Sequence, residues 1–588
     1  MGFKNKVSLI MNFIKGSKRY FIAAVIFVSL ASLFDLINPK IIGFIVDSII
    51  GNMPSSMSFI SVSYFKSHFY MLALIIIFIA LIGALFRYLF NLTNSIGAER
   101  FTENTRNKLF FHIQHLPFSW YSKNSTGDII QRCTSDVETI KRFLSEQLTG
   151  MFRIIVMLIL SLYFMTQISF LLTAAAGVFV PVIVLYSLFF HNKIGKTFEI
   201  ADQQEGKLSS ITQENLTGVR VVRAFGREKY EKERFEKQND IYTNAYMKLS
   251  VILSAFWAMG DGISGLQVMT VVILGAVFVI KGSLTAGSYI AFISYNAMLV
   301  WPVRRLGRVI SEMSRAGVSI ERILSIMNSP LESAQLHPIK PSLFEDISFH
   351  HVYFKYAPDL PYVLKDINFT IKKGSTVGIL GGTGSGKSTL MYLLDALYLP
   401  SQGSITIGGY DLSAIDRSYL RENIGMVLQE PYLFSRTIEE NIRIAKREAS
   451  TEDVRRVSRI AYLDEAVHHF YQGYHTFVGE RGVTLSGGQK QRAAIAQMII
   501  RESPIMIFDD SLSAIDSETD KKIREALETK MDNATVILIS HRISTLKNAD
   551  QIIVLNHGVI KQMGNHKQLS KENGIYQQIC NIQEGHYE

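Results

Sequence analysis

Eight consecutive residues, Gly381, Gly382, Thr383, Gly384, Ser385, Gly386, Lys387 and Ser388, fit the pattern G-x-x-x-x-G-K-[ST]. Glycines at this density let successive backbone N–H groups turn toward one point, which suits a phosphate chain. A following helix adds partial positive charge at its N-terminus. Lys387 would then reach the β- and γ-phosphates of ATP, and the Ser388 hydroxyl a Mg²⁺ ion. Thr389, the next residue, belongs to the same cradle. A flexible glycine turn is the plainer alternative. However, residues 376–380 read as a strand and 388–397 as a helix, the context that a phosphate loop requires. Further on, Ile505-Met506-Ile507-Phe508 reads as a second buried strand and ends in Asp509-Asp510. An acid at the C-terminal end of such a strand, beside a phosphate loop, positions a metal, so Asp509 is the expected Mg²⁺ acid.

These residues need a scaffold, and the chain of 588 residues is long enough for two or more domains. It is 48% hydrophobic and only 19% charged, with a mean hydropathy of +0.17. That balance is too apolar for an ordinary soluble enzyme. The net charge of +10 fits basic cytoplasmic loops of a membrane protein, and no basic, aromatic stripe of a nucleic-acid groove accompanies it. The two cysteines, Cys133 and Cys580, lie far apart and form neither a metal motif nor a disulfide framework.

Residues 1–19 mix apolar side chains with Lys and Arg, as in a helix at the inner membrane surface. Residues 20–39 and 67–86 are each long enough to cross a hydrocarbon core of about 30 Å, which takes about 20 helical residues. Residues 154–190 are nearly twice that length, and Thr166, Gln167 and Ser169 divide them into a helical hairpin. Residues 249–280 and 284–303 supply the fifth and sixth spans. The long segments 87–153 and 191–248 are rich in Lys and Arg, which places them, both termini and the C-terminal domain in the cytoplasm. Prolines in 329–342 mark a linker between a membrane domain, 1–328, and an α/β domain, 343–588, with a largely parallel core sheet.

Within that second domain, Leu485-Ser486-Gly487-Gly488-Gln489 resembles the signature sequence of ATP-binding-cassette (ABC) proteins. Other residues match family landmarks in the family's order. Tyr356 resembles the aromatic that stacks on adenine, and Gln429 the residue linking metal to membrane domain. His541 resembles the γ-phosphate switch, 513–516 the loop crossing the dimer interface, and 478–482 the segment that precedes the signature in exporters. Six spans before one cassette is similar to the half-transporter layout of the type IV, B-family exporters. The resemblance implies a six-helix membrane domain whose swapped helices grip a second half-transporter, with two ATP molecules bound between paired cassettes. Ser486, Gly487, Gly488 and Gln489 would serve the partner's ATP. Short helices near 125–132 and 216–225 would link membrane domain to cassette. Membrane lipid and a small amphipathic substrate complete the implied partners, and the location is the cytoplasmic membrane.

One position departs from the family. Active cassettes carry Glu after the metal acid, as the general base, and this chain carries Asp510. A stem shorter by one methylene withdraws the carboxylate by roughly 1 Å, a misplacement that can cost about a hundredfold in rate. The departure resembles the degenerate-site subunit of bacterial heterodimeric multidrug exporters. The alternatives are a homodimer in which Asp510 works, or a membrane sensor that only binds ATP. Asp35 and Asp261 lie inside spans, where carboxylates are costly and often functional, although pairing between helices explains them equally. Trp257, Met259, Met269 and Trp301 are candidates for an apolar substrate pocket.

Overall fold

The computed structural model describes residues 6–50, 69–332, 335, 337–479, 482–511, 515–530 and 533–584. Two compact units divide the chain: Met1–His115 with Asn124–Ser329, and Leu116–Lys123 with Pro330–Glu588.

The first unit is helical, because its apolar runs are long and carry few helix breakers. Its main helices are Lys18–Ile50, Phe69–Gln114, Thr149–Ile168, Phe170–Gly177, Phe179–Thr217, Glu228–Ile280 and Ala286–Met327. Among the described residues, five stretches are long and apolar enough to cross a membrane. The expected sixth span corresponds to a shorter apolar segment, Ala286–Val300, that opens the last long helix. The first helix does not stop at Pro39, where the sequence suggested an end, but runs through it to Ile50. The proline removes one backbone donor, a loss that membrane helices tolerate when neighbours re-satisfy the freed group.

Ser169 makes the expected break in the hairpin. Its backbone is extended (φ −158°, ψ 115°), and its hydroxyl caps the next helix by accepting from the Leu172 N–H at 3.3 Å. Where the first and last helices cross, Gly43 and Gly287 allow backbone contact. A Cβ on Gly287 would lie 1.9 Å from the Gly43 carbonyl oxygen. Beside this crossing, buried Asp47 accepts from the Gly287 N–H at 2.7 Å and the Thr285 hydroxyl at 2.6 Å. One carboxylate thus holds the start of the last helix against the first.

Asp35 is explained by pairing: it forms an ion pair with Arg87 of the neighbouring helix. Asp261 is exposed on Glu228–Ile280, which runs unbroken through Gly260, Gly262 and Gly265. Trp257, Met259 and Met269 are also exposed, and the Trp301 side chain lies outside the described residues. An apolar cavity of about 430 Å³ is lined by other side chains, including Leu172, Leu274 and Phe278.

The second unit holds two main sheets. Strands β1 (Ile347–Phe354), β2 (Leu364–Ile371), β4 (Gln402–Ile407) and β5 (Tyr410–Asp411) pair antiparallel in the order β2-β1-β4-β5. The larger sheet uses β3 (Thr376–Leu380), β6 (Ile424–Val427), β9 (Ile505–Asp509), β10 (Thr535–Ile539), β11 (Gln551–Asn556) and β12 (Val559–Gly564). Its order is β12-β11-β3-β10-β9-β6, parallel except at β12. The short strands β7 (Arg436–Thr437) and β8 (Phe477–Val478) pair with each other. Helices cover the central strands, so β9 is buried throughout and reads as a continuous apolar run.

The proline-rich segment before β1 is tied to this unit rather than loose. Ile339 exchanges backbone bonds with Ala414 and Asp416 at 3.0 and 2.9 Å. Glu332 takes a two-pronged bond from Arg421 at 3.0 and 2.7 Å, and that ion pair holds the Glu332 carboxyl below the usual carboxylate range.

Candidate active site

The loop between β3 and helix Lys387–Leu394 has the backbone that its glycines predict. Gly384 and Gly386 lie at φ +77° and +102°, a region open to glycine. At Gly381 a Cβ would meet the Leu555 carbonyl oxygen at 2.4 Å. The loop therefore needs these glycines both for conformation and for room. Lys387 bends back over the loop, donating to the Gly381 and Gly382 carbonyls at 2.8 and 2.9 Å. Burial pulls the pKa of its ammonium down, opposed by Asp509 and Asp510. Ser385 is buried, while Gly382 and Thr383 are open to solvent.

Sheet order explains why residues distant in sequence meet here. β3, β10, β9 and β6 are parallel neighbours, so their C-terminal ends lie side by side. The phosphate loop follows β3, His541 follows β10, Asp509 ends β9 with Asp510 just after it, and Gln429 follows β6. Asp509 is 6% exposed. Burial raises the pKa of its carboxyl, against the Ser388 hydroxyl bonded to it and the Lys387 charge. The Ser388 and Asp509 oxygens are hard donors suited to Mg²⁺. Among the described residues, no group of three or more His, Cys, Asp and Glu side chains stands ready to hold a metal. Asp510 has a left-handed backbone, φ 46°, and its N–H donates to the Ile539 carbonyl at 2.9 Å. Its Oδ2 lies 3.1 Å from His541 Nδ1. Gln429 is exposed, and its carbonyl accepts from the buried Gln491 amide at 2.7 Å.

Tyr356 stands over the start of the phosphate-loop helix. Its hydroxyl bonds the Thr389 hydroxyl at 2.8 Å, and its ring meets Tyr398 edge-on at 5.2 Å. Tyr398 in turn meets Phe118 edge-on at 5.6 Å. Neither Tyr398 nor the Thr389 bond belongs to a recognisable motif, so the sequence reading passed over both contacts.

The signature residues lie apart from this cluster. Ser486 caps helix Gly487–Ile499 in a reciprocal box with Gln489: Ser486 Oγ accepts from the Gln489 N–H, and Gln489 Oε1 from the Ser486 N–H at 2.9 Å. Ser486 and Gly487 are exposed, with Gly488 and Gln489 partly so. Asp516 caps the helix after β9, accepting from the Thr519 N–H at 2.9 Å. Ser513 and Ala514 of the expected interface loop, and Glu480 and Arg481 before the signature, lie outside the described residues.

Both segments expected to link membrane domain to cassette hold a short helix. The first, Thr126–Gln131, lies in the first unit, held by Arg132 to Asp128 and Ser325. The segment grouped with the second unit is the one just before it, Leu116–Lys123, whose Phe118 packs on Tyr392 and Tyr398. Aromatic density at Phe118, Trp120 and Tyr121 was the available signal. The other expected helix, Val219–Ala224, forms in the first unit and leaves Leu216, Val221 and Phe225 strongly exposed.

Comparison with known proteins agrees with this architecture. The family description "ABC transporter transmembrane region" fits residues 21–303, and "ABC transporter" fits residues 364–513. The uncharacterized ABC transporter ATP-binding protein YknU of Bacillus subtilis is 36% identical over 481 residues, covering 81% of this chain and 82% of that protein. The chain belongs to the ABC transporter family. A toxin RTX-III translocation ATP-binding protein of Actinobacillus pleuropneumoniae is 32% identical over 576 residues, 96% of this chain and 78% of the relative. Among solved structures, a bacterial Atm1-family ABC exporter with ATP bound shares the fold, with a TM-score of 0.82 and 24% identity over 96% of this chain and 99% of the other. This ABC exporter chain is therefore a membrane protein with an ATPase domain that couples ATP hydrolysis to transport. Exporters of this family act as dimers of halves, whether two copies or two different chains.

Proposed function

We propose that this ABC exporter chain moves amphipathic drugs or lipid-like compounds out across the cytoplasmic membrane, as one half of a heterodimer whose own ATP site turns over slowly. Asp510 carries this reading. Its backbone is fixed by the bond to Ile539 and its side chain is drawn to His541, so the missing methylene is not recovered by a small slide of the chain. In this reading Tyr356 stacks on adenine, and residues 381–389 cradle the phosphates, with Lys387 on their outer oxygens. Ser388, Gln429 and Asp509 would hold Mg²⁺, which when bound neutralises charge developing on the transferred phosphoryl group. His541 senses the γ-phosphate, and Asp510 orients water. Ser486, Gly487, Gly488 and Gln489, exposed and presented on a capped helix N-terminus, complete the site on the other half.

Burying the exposed tip at Leu216, Val221 and Phe225 against the second half's cassette gives those apolar side chains a partner. The basic loops support a cytoplasmic location for the cassette and both termini. Relatives named for toxin translocation make protein cargo the competing class. ATP-dependent uptake of a fluorescent amphipathic dye into inside-out vesicles tests the export reading. Uptake that needs this chain together with a second half-transporter supports it. Uptake by this chain alone favours the homodimer, and no dye movement by either assembly contradicts the substrate class.

A further inference from the structure

Helix Ile575–Glu584 is packed into the cassette core, with Tyr576 and Cys580 buried in its largest hydrophobic cluster. From the last turn of that helix, Gln583 reaches the segment that follows β10. Its amide bonds that segment in both directions. Nε2 donates to the His541 carbonyl at 2.7 Å, and the Ile543 N–H donates to Oε1 at 2.8 Å. The pair of bonds straddles Arg542 and fixes the backbone on the far side of His541. On the near side, the Ser540 N–H donates to the Ile379 carbonyl at 3.2 Å. The His541 ring itself is 59% exposed, so side-chain packing does little to hold it. Its aim depends on the contact with Asp510 at 3.1 Å and on the backbone, of which Gln583 supplies one of the two fixed ends.

We infer that Gln583 is a positioning residue for His541, through which the docked C-terminal helix sets how strongly the site prefers ATP to ADP. The inference rests on the reading of His541 as the γ-phosphate contact. Gln583 never touches nucleotide. It acts by holding the turn from which the imidazole reaches, and an amide is required because one partner is a carbonyl and the other an N–H.

The test is the ratio of dissociation constants for ADP and a non-hydrolysable ATP analogue, measured on the full chain in lipid nanodiscs. Native protein is compared with Gln583→Ala, Gln583→Glu and His541→Ala. His541→Ala should reduce the preference for the triphosphate. Gln583→Ala should reduce it roughly three- to tenfold, the scale of one net hydrogen bond, with ADP affinity unchanged. Gln583→Glu keeps the acceptor for Ile543 but sets a carboxylate against the His541 carbonyl, so it should also lose preference while the helix stays docked. A His541→Ala effect with no effect of either Gln583 variant overturns the inference alone. Equal weakening of both nucleotides by the Gln583 variants also overturns it, because that marks a general structural role. An unchanged ratio in His541→Ala overturns the γ-phosphate reading and the inference together.

Discussion

Asp510 and His541 meet at 3.1 Å across the ends of β9 and β10, two adjacent parallel strands. The contact joins the residue proposed to orient water to the residue proposed to sense the γ-phosphate. Each therefore biases where the other points. In an Asp510→Glu chain with restored turnover, His541→Ala should lower ATP hydrolysis by about 10²-fold or more, the scale of losing one preorganised group that faces the charge on the transferred phosphoryl. A steady-state phosphate-release assay reads the outcome. A loss under threefold would mean that the ring contributes little beyond its contact with the acid.

Tyr398 stands between the proposed adenine platform and Phe118, with ring centroids 5.2 Å from Tyr356 and 5.6 Å from Phe118. Aromatic edge contacts of this kind contribute about 0.5–1.5 kcal/mol each beyond burial. Tyr398→Ala should weaken ATP binding about fivefold, on the scale of one such contact. Tyr398→Phe keeps both ring contacts and should bind like the native chain. Nucleotide titration separates the two variants, and equal weakening by Phe and Ala would contradict a role for the rings.

Asp395 follows the phosphate-loop helix, where burial raises the pKa of its carboxyl to about 6 despite nearby Arg421 and Arg501. A raised folded-state value means that the folded protein binds the proton more tightly than the unfolded chain. The stabilising contribution is complete below about pH 4 and is lost as pH rises through about 6. Asp395→Asn has no such titration. Thermal unfolding of the two proteins should show the native chain losing stability relative to Asn between pH 4 and 7. The shift of about two units corresponds to on the order of 3 kcal/mol. A difference independent of pH would contradict the buried-carboxyl account.

Asp47 gives a prediction for the membrane unit. Buried at 4% exposure, it accepts from the Gly287 N–H and the Thr285 hydroxyl. Asp47→Ala leaves both donors without that acceptor and should destabilise the unit by about 1–3 kcal/mol. Asp47→Asn keeps a carbonyl acceptor and should lose less. Thermal unfolding in detergent checks the order of the three proteins.

The architecture was readable in the sequence because its strongest signals are local. Uncharged runs mark the spans, Ser169 marks the hairpin, and the glycines at 381–386 mark the phosphate loop. Asp509 was singled out as the end of a short apolar strand, and His541 only through its resemblance to a family landmark. Other contacts depend on tertiary approach. Pro39 sits inside a helix that continues to Ile50, which spacing does not reveal. Asp47 pairs with residues some 240 positions away, and Gln583 reaches His541 from a tail with no motif. Phe118 meets Tyr392 and Tyr398 by a tertiary approach that no local spacing reveals.

Steady-state ATP hydrolysis by this chain alone in lipid, beside its Asp510→Glu version, tests the degenerate site most directly. The account predicts little turnover by the native chain and a gain of about a hundredfold with Glu, the scale of a 1 Å repositioning. Brisk turnover by the native chain, with no gain from Glu, would contradict it and mark the protein as a self-sufficient homodimer.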